Sequence, residues 1–160
     1  MRALTVRQPW AWAIIYGGKD VENRSRTIAG DYRGPVAIHA GLTDDTTPLA
    51  SWATWAWRDW WAESGTPGGQ RGHIIGVVDL VDVHHHTSCP TNHPDALWPL
   101  CSRWAHHEGY HLVLANPRPL VAPIPAKGRL GLWTPTPELV EQIEETMLTA
   151  LRDCSEVVEP

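Results

Sequence analysis

The stretch Ile74-Ile75-Gly76-Val77-Val78-Asp79-Leu80-Val81-Asp82-Val83, within a strand-like segment from His73 to Val83, is nearly continuous in aliphatic residues. A strand that is apolar at successive rather than alternate positions has to be covered on both faces, so it belongs inside a sheet or barrel with other elements packed around it. Pro35 to His39, Tyr110 to Leu114 and Arg129 to Trp133 read as further strands. Pro117, Pro119, Pro123 and Pro125 keep the intervening segment extended but argue against a central ladder position, because each lacks the N–H a ladder needs.

The amino-terminal segment supplies a strand, a helix and a charged turn back to back. Leu4 and Val6 alternate with Ala3 and Thr5, as in a half-buried strand. Pro9 suits the first helical position. Trp10, Ala13, Ile14 and Gly17 then follow at helical spacing, and Gly17-Gly18 provides a stop. At the other end, Thr136-Pro137-Glu138 caps a helix whose Val140, Ile143, Met147 and Leu151 form an apolar stripe, with Cys154 to Pro160 as a frayed tail. These segments fit an α+β fold, a small mixed β-barrel with flanking helices and a C-terminal helix.

A chain of 160 residues with 42% hydrophobic content can bury a sizeable core. It has neither an apolar run of about 18 residues nor a signal-like start, which leads to the expectation of a soluble, cytoplasmic protein without a membrane partner. Three cysteines argue against a disulfide framework. The net charge of −5 is unevenly placed: from Glu138 onward seven acids face Arg152 alone, which leaves the rest of the chain at +1. Arg2, Arg7, Lys19, Arg24, Arg26 and Arg33 fall near the start, so a basic face on a near-neutral body is compatible with the acidic total.

Three groups of residues carry chemistry. Lys19, Glu22 and Arg24 follow the glycine turn, with Gln8 nearby as an amide donor and acceptor; together they form either a small polar recognition site or a solvated surface cluster. Leu49 to Trp61 holds five of the ten tryptophans. On a helix, Leu49, Trp52, Ala53, Ala56, Trp57 and Trp60 share a face that is core by default, while Trp55 and Trp61 flank Arg58 on the other. Trp55, Arg58 and Trp61 would there serve as a stacking platform for bases, as the contact for a protein partner, or simply as covered surface. The third group is rich in metal-capable side chains: His84, His85, His86, Cys89, His93, Cys101, His106, His107 and His111. Two thiols with two imidazoles meet the tetrahedral preference of zinc, and the expected structural site uses Cys89, His93 and Cys101. The spacing is not that of a paired-thiol knuckle, and histidine runs also occur on plain loops. No other cofactor is called for.

Several blocks then occur in order: Gln8-Pro9-Trp10-Ala11, Gly18-Lys19-Asp20-Val21-Glu22-Asn23-Arg24, Tyr32-Arg33-Gly34-Pro35, Ile38-His39-Ala40, Ile75-Gly76-Val77-Val78-Asp79-Leu80, Leu114-Ala115-Asn116-Pro117-Arg118-Pro119-Leu120 and Lys127-Gly128-Arg129-Leu130-Gly131-Leu132-Trp133. Together they resemble the ASCH (activating signal cointegrator homology) domains of the PUA-like superfamily, from about Ala3 to Trp133. On this resemblance residues 1–137 form the domain, with insertions at 42–70 and 84–108, and residues 138–160 add an acidic helix and tail packed on it.

The resemblance implies binding of RNA, another nucleic acid or a modified nucleobase in a cleft beside the first helix. In that reading Lys19 and Arg24 contact phosphate, Gln8 and Glu22 hydrogen-bond a base edge, Trp10 packs or stacks beside it, and His39 and Lys127 line the same cleft. Some relatives are hydrolases of acetylated cytidine, working through a lysine, a threonine three residues later and a distant glutamate. Lys19 matches the lysine, but Glu22 stands at the threonine position. An amidohydrolase or ribonuclease using Lys19 and Glu22 is therefore the alternative, with a different proton-transfer chemistry. A third reading is a protein-interaction module built on the Trp-rich helix.

Overall fold

A computed structural model of the chain describes residues 1–46, 70–90 and 100–156. Six strands and two helices follow one another: β1 (Arg2–Gln8), α1 (Trp10–Ile15), β2 (Val21–Arg24), β3 (Gly34–Asp44), β4 (His73–His85), β5 (Tyr110–Pro125), β6 (Leu132–Trp133) and α2 (Pro137–Glu156). A 3₁₀ turn at His86–Ser88 follows β4. The strands make one sheet in the order β2-β5-β4-β3-β1-β6. The β1–β3 pair is parallel and the others antiparallel, and the sheet curls into a half-barrel. This is the expected small α+β PUA-like fold.

The Ile/Val-rich segment sits where its composition demands. β4 lies between β3 and β5, and Ile74, Ile75, Val77, Val78 and Leu80 are all buried. Its two faces go to different cores. Ile75, Val78 and Leu80 pack with Leu4, Ile14, Ile15 and Ile38 beneath α1. Ile74 and Val77 pack with Ala37, Leu120, Trp133 and Ile143, the last contributed by α2. The cap expected of Thr136 is present, its hydroxyl accepting the Leu139 N–H at 3.3 Å.

Several boundaries differ from expectation: β3 runs on to Asp44 and β4 to His85, and β6 is Leu132–Trp133 rather than Arg129 to Trp133. Pro9 does not open the helix but precedes it, as the N-cap of α1, after a cis Gln8–Pro9 bond. Val21–Arg24, expected as part of a charged turn, is strand β2 on the edge of the sheet against β5. β5 continues through all four prolines, since β2 pairs only with Tyr110 to Val113 and the proline-bearing half has β4 on one side alone. An edge tolerates the missing donors that a central strand would not. α2 runs to Glu156, three residues into the segment expected to fray. The Trp-rich segment, including Trp55, Arg58 and Trp61, lies outside the described residues, as does His93. Among the described residues no helix is long and apolar enough to cross a membrane.

At Gly76 the sheet lies directly against α1. A Cβ there would lie 2.6 Å from Ile15 Cδ1 and 2.8 Å from the Arg118 carbonyl oxygen. The isoleucine can rotate away, but the strand backbone cannot. Gly76→Ala is therefore expected to destabilise the fold by about 1–3 kcal/mol through overpacking, seen as a lower denaturant midpoint; an unchanged midpoint would contradict this packing.

Candidate functional site

A cleft of about 760 Å³ opens beside the start of α1, walled by β1, β2, β3 and the segment from Ala126 to Gly131. Trp10, Glu22, Arg24, His39 and Lys127 line it together, bringing five of the seven expected ligand contacts to one place. Arg7 and Arg129 add two cations that the residue-by-residue reading did not single out. Among the described residues, Arg7, Arg24, Lys127 and Arg129 face two carboxylates, Glu22 and Asp45, so this lining is locally cationic on an acidic chain. Arg129 was legible as part of the Lys127-Gly128-Arg129 block, and Arg7 as part of the basic amino-terminal stretch.

Glu22 is the best-fixed polar group of the wall. β2 places it 8% exposed, with Arg24 Nη2 at 3.1 Å from one carboxylate oxygen and Lys19 Nζ at 3.4 Å from the other. Arg24 Nη2 also donates to the Thr5 carbonyl at 3.2 Å, which ties β2 to β1 across the cleft. Lys19 lies behind this wall rather than in it. Only 4% exposed, it donates to the Val21 carbonyl and lies between two tryptophans, with Nζ 5.8 Å from the Trp10 ring centroid and 5.7 Å from that of Trp104. The two rings meet edge to face at 6.3 Å. Lys19 borders a separate cavity of about 200 Å³ with Ile14, Val78 and Leu114. Burial pulls its pKa below the ordinary lysine value, and Glu22 opposes that shift.

Gln8 also lies away from the ligand space. It is 2% exposed, and its Oε1 accepts the Trp12 N–H at 3.0 Å, so its amide serves the first turn of α1. His39 forms part of the floor. Its Nε2–H donates to the Ala126 carbonyl at 3.0 Å, and its ring meets Trp133 edge to face at 6.4 Å. Burial lowers its pKa, with Ala126 opposing and His73 adding to the shift. Gly128 rests directly on this ring: a Cβ there would come within 2.5 Å of His39 Cε1 and 2.9 Å of Thr5 Oγ1. The glycine between Lys127 and Arg129 is thus what lets the segment carrying both cations lie against the histidine.

On the opposite side of β2, the connection from β4 to β5 brings His84, Cys89, Cys101 and His111 together, with donor atoms all within 4.8 Å of one another. Cys89 and Cys101 meet as expected. The imidazoles beside them are His84 and His111, cross-strand partners in β4 and β5.

The ASCH domain family model matches residues 4–119. Among solved structures, a point-mutant form of the ZmASCH protein from Zymomonas mobilis shares 16% identity, with 91% of this chain and 97% of that one covered at a TM-score of 0.51. ASCH from Zymomonas mobilis also shares 16% identity, over 91% of this chain and 94% of the other, at a TM-score of 0.47. At this identity the first likeness speaks to the fold alone.

The burial of Lys19 gives the charge cluster a measurable signature. In Glu22→Gln the ammonium keeps its two rings but loses the facing carboxylate, and stability at neutral pH is expected to fall by about 3 kcal/mol. Because the folded pKa of Lys19 lies below its unfolded value, the unfolded chain binds more protons between the two. Glu22 raises that folded pKa, so without it the value falls further, and the deficit of the variant is expected to shrink as pH rises from the variant's folded pKa to the wild type's, where the variant alone gains stability. Chemical denaturation of both proteins across alkaline pH measures this; a pH-independent deficit would contradict the buried-charge account.

Proposed function

The chain belongs to the ASCH domain family, a PUA-related group of RNA-binding-like character, and on that premise we propose that the cleft beside α1 binds single-stranded RNA one nucleotide unit at a time. The observation that carries this reading is the cleft's charge: four cations against two carboxylates among the described residues, on a chain whose net charge is −5. A concentration of Arg and Lys in a concave site favours a phosphate-bearing ligand. A volume of about 760 Å³ suits a nucleotide and is too confined for a duplex.

In this reading Arg7, Lys127 and Arg129 hold phosphate at the exposed rim. Glu22, fixed by its two cations, accepts hydrogen bonds from an exocyclic amine or ring N–H of the base. Trp10 offers an apolar surface against the base, and His39 with Gly128 closes the floor. Lys19 positions Glu22 rather than touching ligand. Turnover by an amidohydrolase or ribonuclease using Lys19 and Glu22 ranks second, because Lys19 is absent from the residues lining the cleft and a base must reach the proton it removes.

Fluorescence anisotropy with labelled single-stranded RNA over a salt series tests the proposal. Lys127→Ala and Arg7→Ala, both at exposed positions, are expected to weaken binding and each to reduce the slope of log affinity against log salt by about 0.7. Unchanged affinity and slope in both variants, or no binding by the wild type, would overturn the reading. Conversion of the RNA or of acetylated cytidine to product would promote the hydrolase.

A further inference from the structure

We propose that His84, Cys89, Cys101 and His111 form a tetrahedral structural zinc site that pins the β4–β5 connection. The evidence is in the edges of the cluster. With Zn–S near 2.3 Å and Zn–N near 2.0–2.1 Å, a regular tetrahedron has an N–N edge of about 3.3 Å and S–N edges of about 3.6 Å. His84 Nε2 and His111 Nδ1 stand 3.3 Å apart. His111 Nδ1 is 3.4 Å from Cys101 Sγ and 3.7 Å from Cys89 Sγ. Three edges therefore have the lengths that one ion at the centre requires.

The outer hydrogen bonds aim the donors inward. His84 Nδ1 lies 2.7 Å from the Asp82 carboxylate, and His111 Nε2 lies 2.8 Å from the His106 carbonyl oxygen. Both outer partners only accept, so each neutral ring directs its N–H outward and its lone pair towards the other. Two such lone pairs 3.3 Å apart cannot hydrogen-bond to each other, and a cation between them satisfies both. A carboxylate and a carbonyl behind metal-bound histidines are the usual supporting partners. The Cys101 N–H donates to Cys89 Sγ at 2.9 Å, which holds that sulfur in place beside the two imidazoles. Two thiolates and one divalent ion are neutral together, which suits a half-buried site, and the S₂N₂ set selects zinc over magnesium or calcium.

The site would also anchor the wall behind the cleft. In the segment directly after Cys101, Ser102 donates to the Asp20 carboxylate and Trp104 Nε1–H donates to the Gly18 carbonyl at 2.9 Å. Asn23 donates to the Trp104 carbonyl at 2.8 Å. Trp104 covers Lys19, so the ion fixes one end of the segment that encloses the lysine.

The full chain, purified without a histidine tag, is to be analysed for metal by mass spectrometry and then reloaded with cobalt(II). The expected result is one zinc per chain, replaced by a cobalt centre with the intense visible bands of tetrahedral geometry and thiolate-to-metal charge transfer in the near ultraviolet. His84→Ala and Cys101→Ser are expected to weaken metal binding more than 10-fold, and Asp82→Asn, which takes the charge from the outer partner and leaves the four ligands in place, by about 10-fold. His107→Ala is expected to bind as the wild type does. The proposal is overturned by a wild-type chain that neither carries nor takes up metal, by a weak octahedral cobalt spectrum, by a Cys89–Cys101 disulfide in its place, or by equal metal binding in His84→Ala and Cys101→Ser.

Discussion

The contact on which the candidate site depends is the carboxylate of Glu22, held between an ammonium it shares with no solvent and a guanidinium that reaches into the cleft. Taking a lysine and a glutamate out of water is costly, and a buried ion pair is a poor source of stability compared with apolar groups of the same shape. Its service here is positional. Lys19 is enclosed by Trp10 from α1 and Trp104 from the β4–β5 connection, so Glu22 is fixed relative to both. Arg24 bridges Glu22 to the β1 backbone at Thr5 and thereby ties two walls of the cleft together.

The remaining features follow from that arrangement. A helix of six residues, α1, is short enough to need help at both ends: Gln8 serves its first turn, and the Lys19 N–H returns to the Ala13 carbonyl at 2.9 Å to close its last. Gly76 lets this helix lie directly on β4, and Gly128 lets the opposite rim lie directly on His39. In both places a missing side chain permits close approach of backbone to a neighbouring element. Two of the three rim cations, Lys127 and Arg129, are then carried on the segment after β5, over a floor of His39 that Trp133 meets edge to face.

Much of the fold was legible because its signals are local. The aliphatic run in β4, the alternation in β1 and the capped, striped terminal helix each declare their structure within a dozen residues. The family blocks located Trp10, Glu22, Arg24, His39 and Lys127, and the resemblance implied one cleft for them. What escaped the sequence depends on distant partners. Lys19 follows a glycine turn, which reads as solvated, and only Trp104, 85 positions away, completes its burial. β2 is four residues long with two charges and is a strand because β5 lies beside it. The pairing of His84 with His111 depends on a ladder whose register shifts three times, so no spacing rule reaches it.

The most direct test of the central claim, that a nucleotide unit occupies the cleft formed around Glu22, is an NMR titration of the labelled protein with a short single-stranded RNA. The account predicts progressive, saturable shifts of the Trp10 indole, the His39 ring and the backbone amides of Arg24 and Lys127, with the amides of α2 unmoved. Shifts confined to α2 or to the β4–β5 connection, or no shifts at saturating RNA, would contradict it.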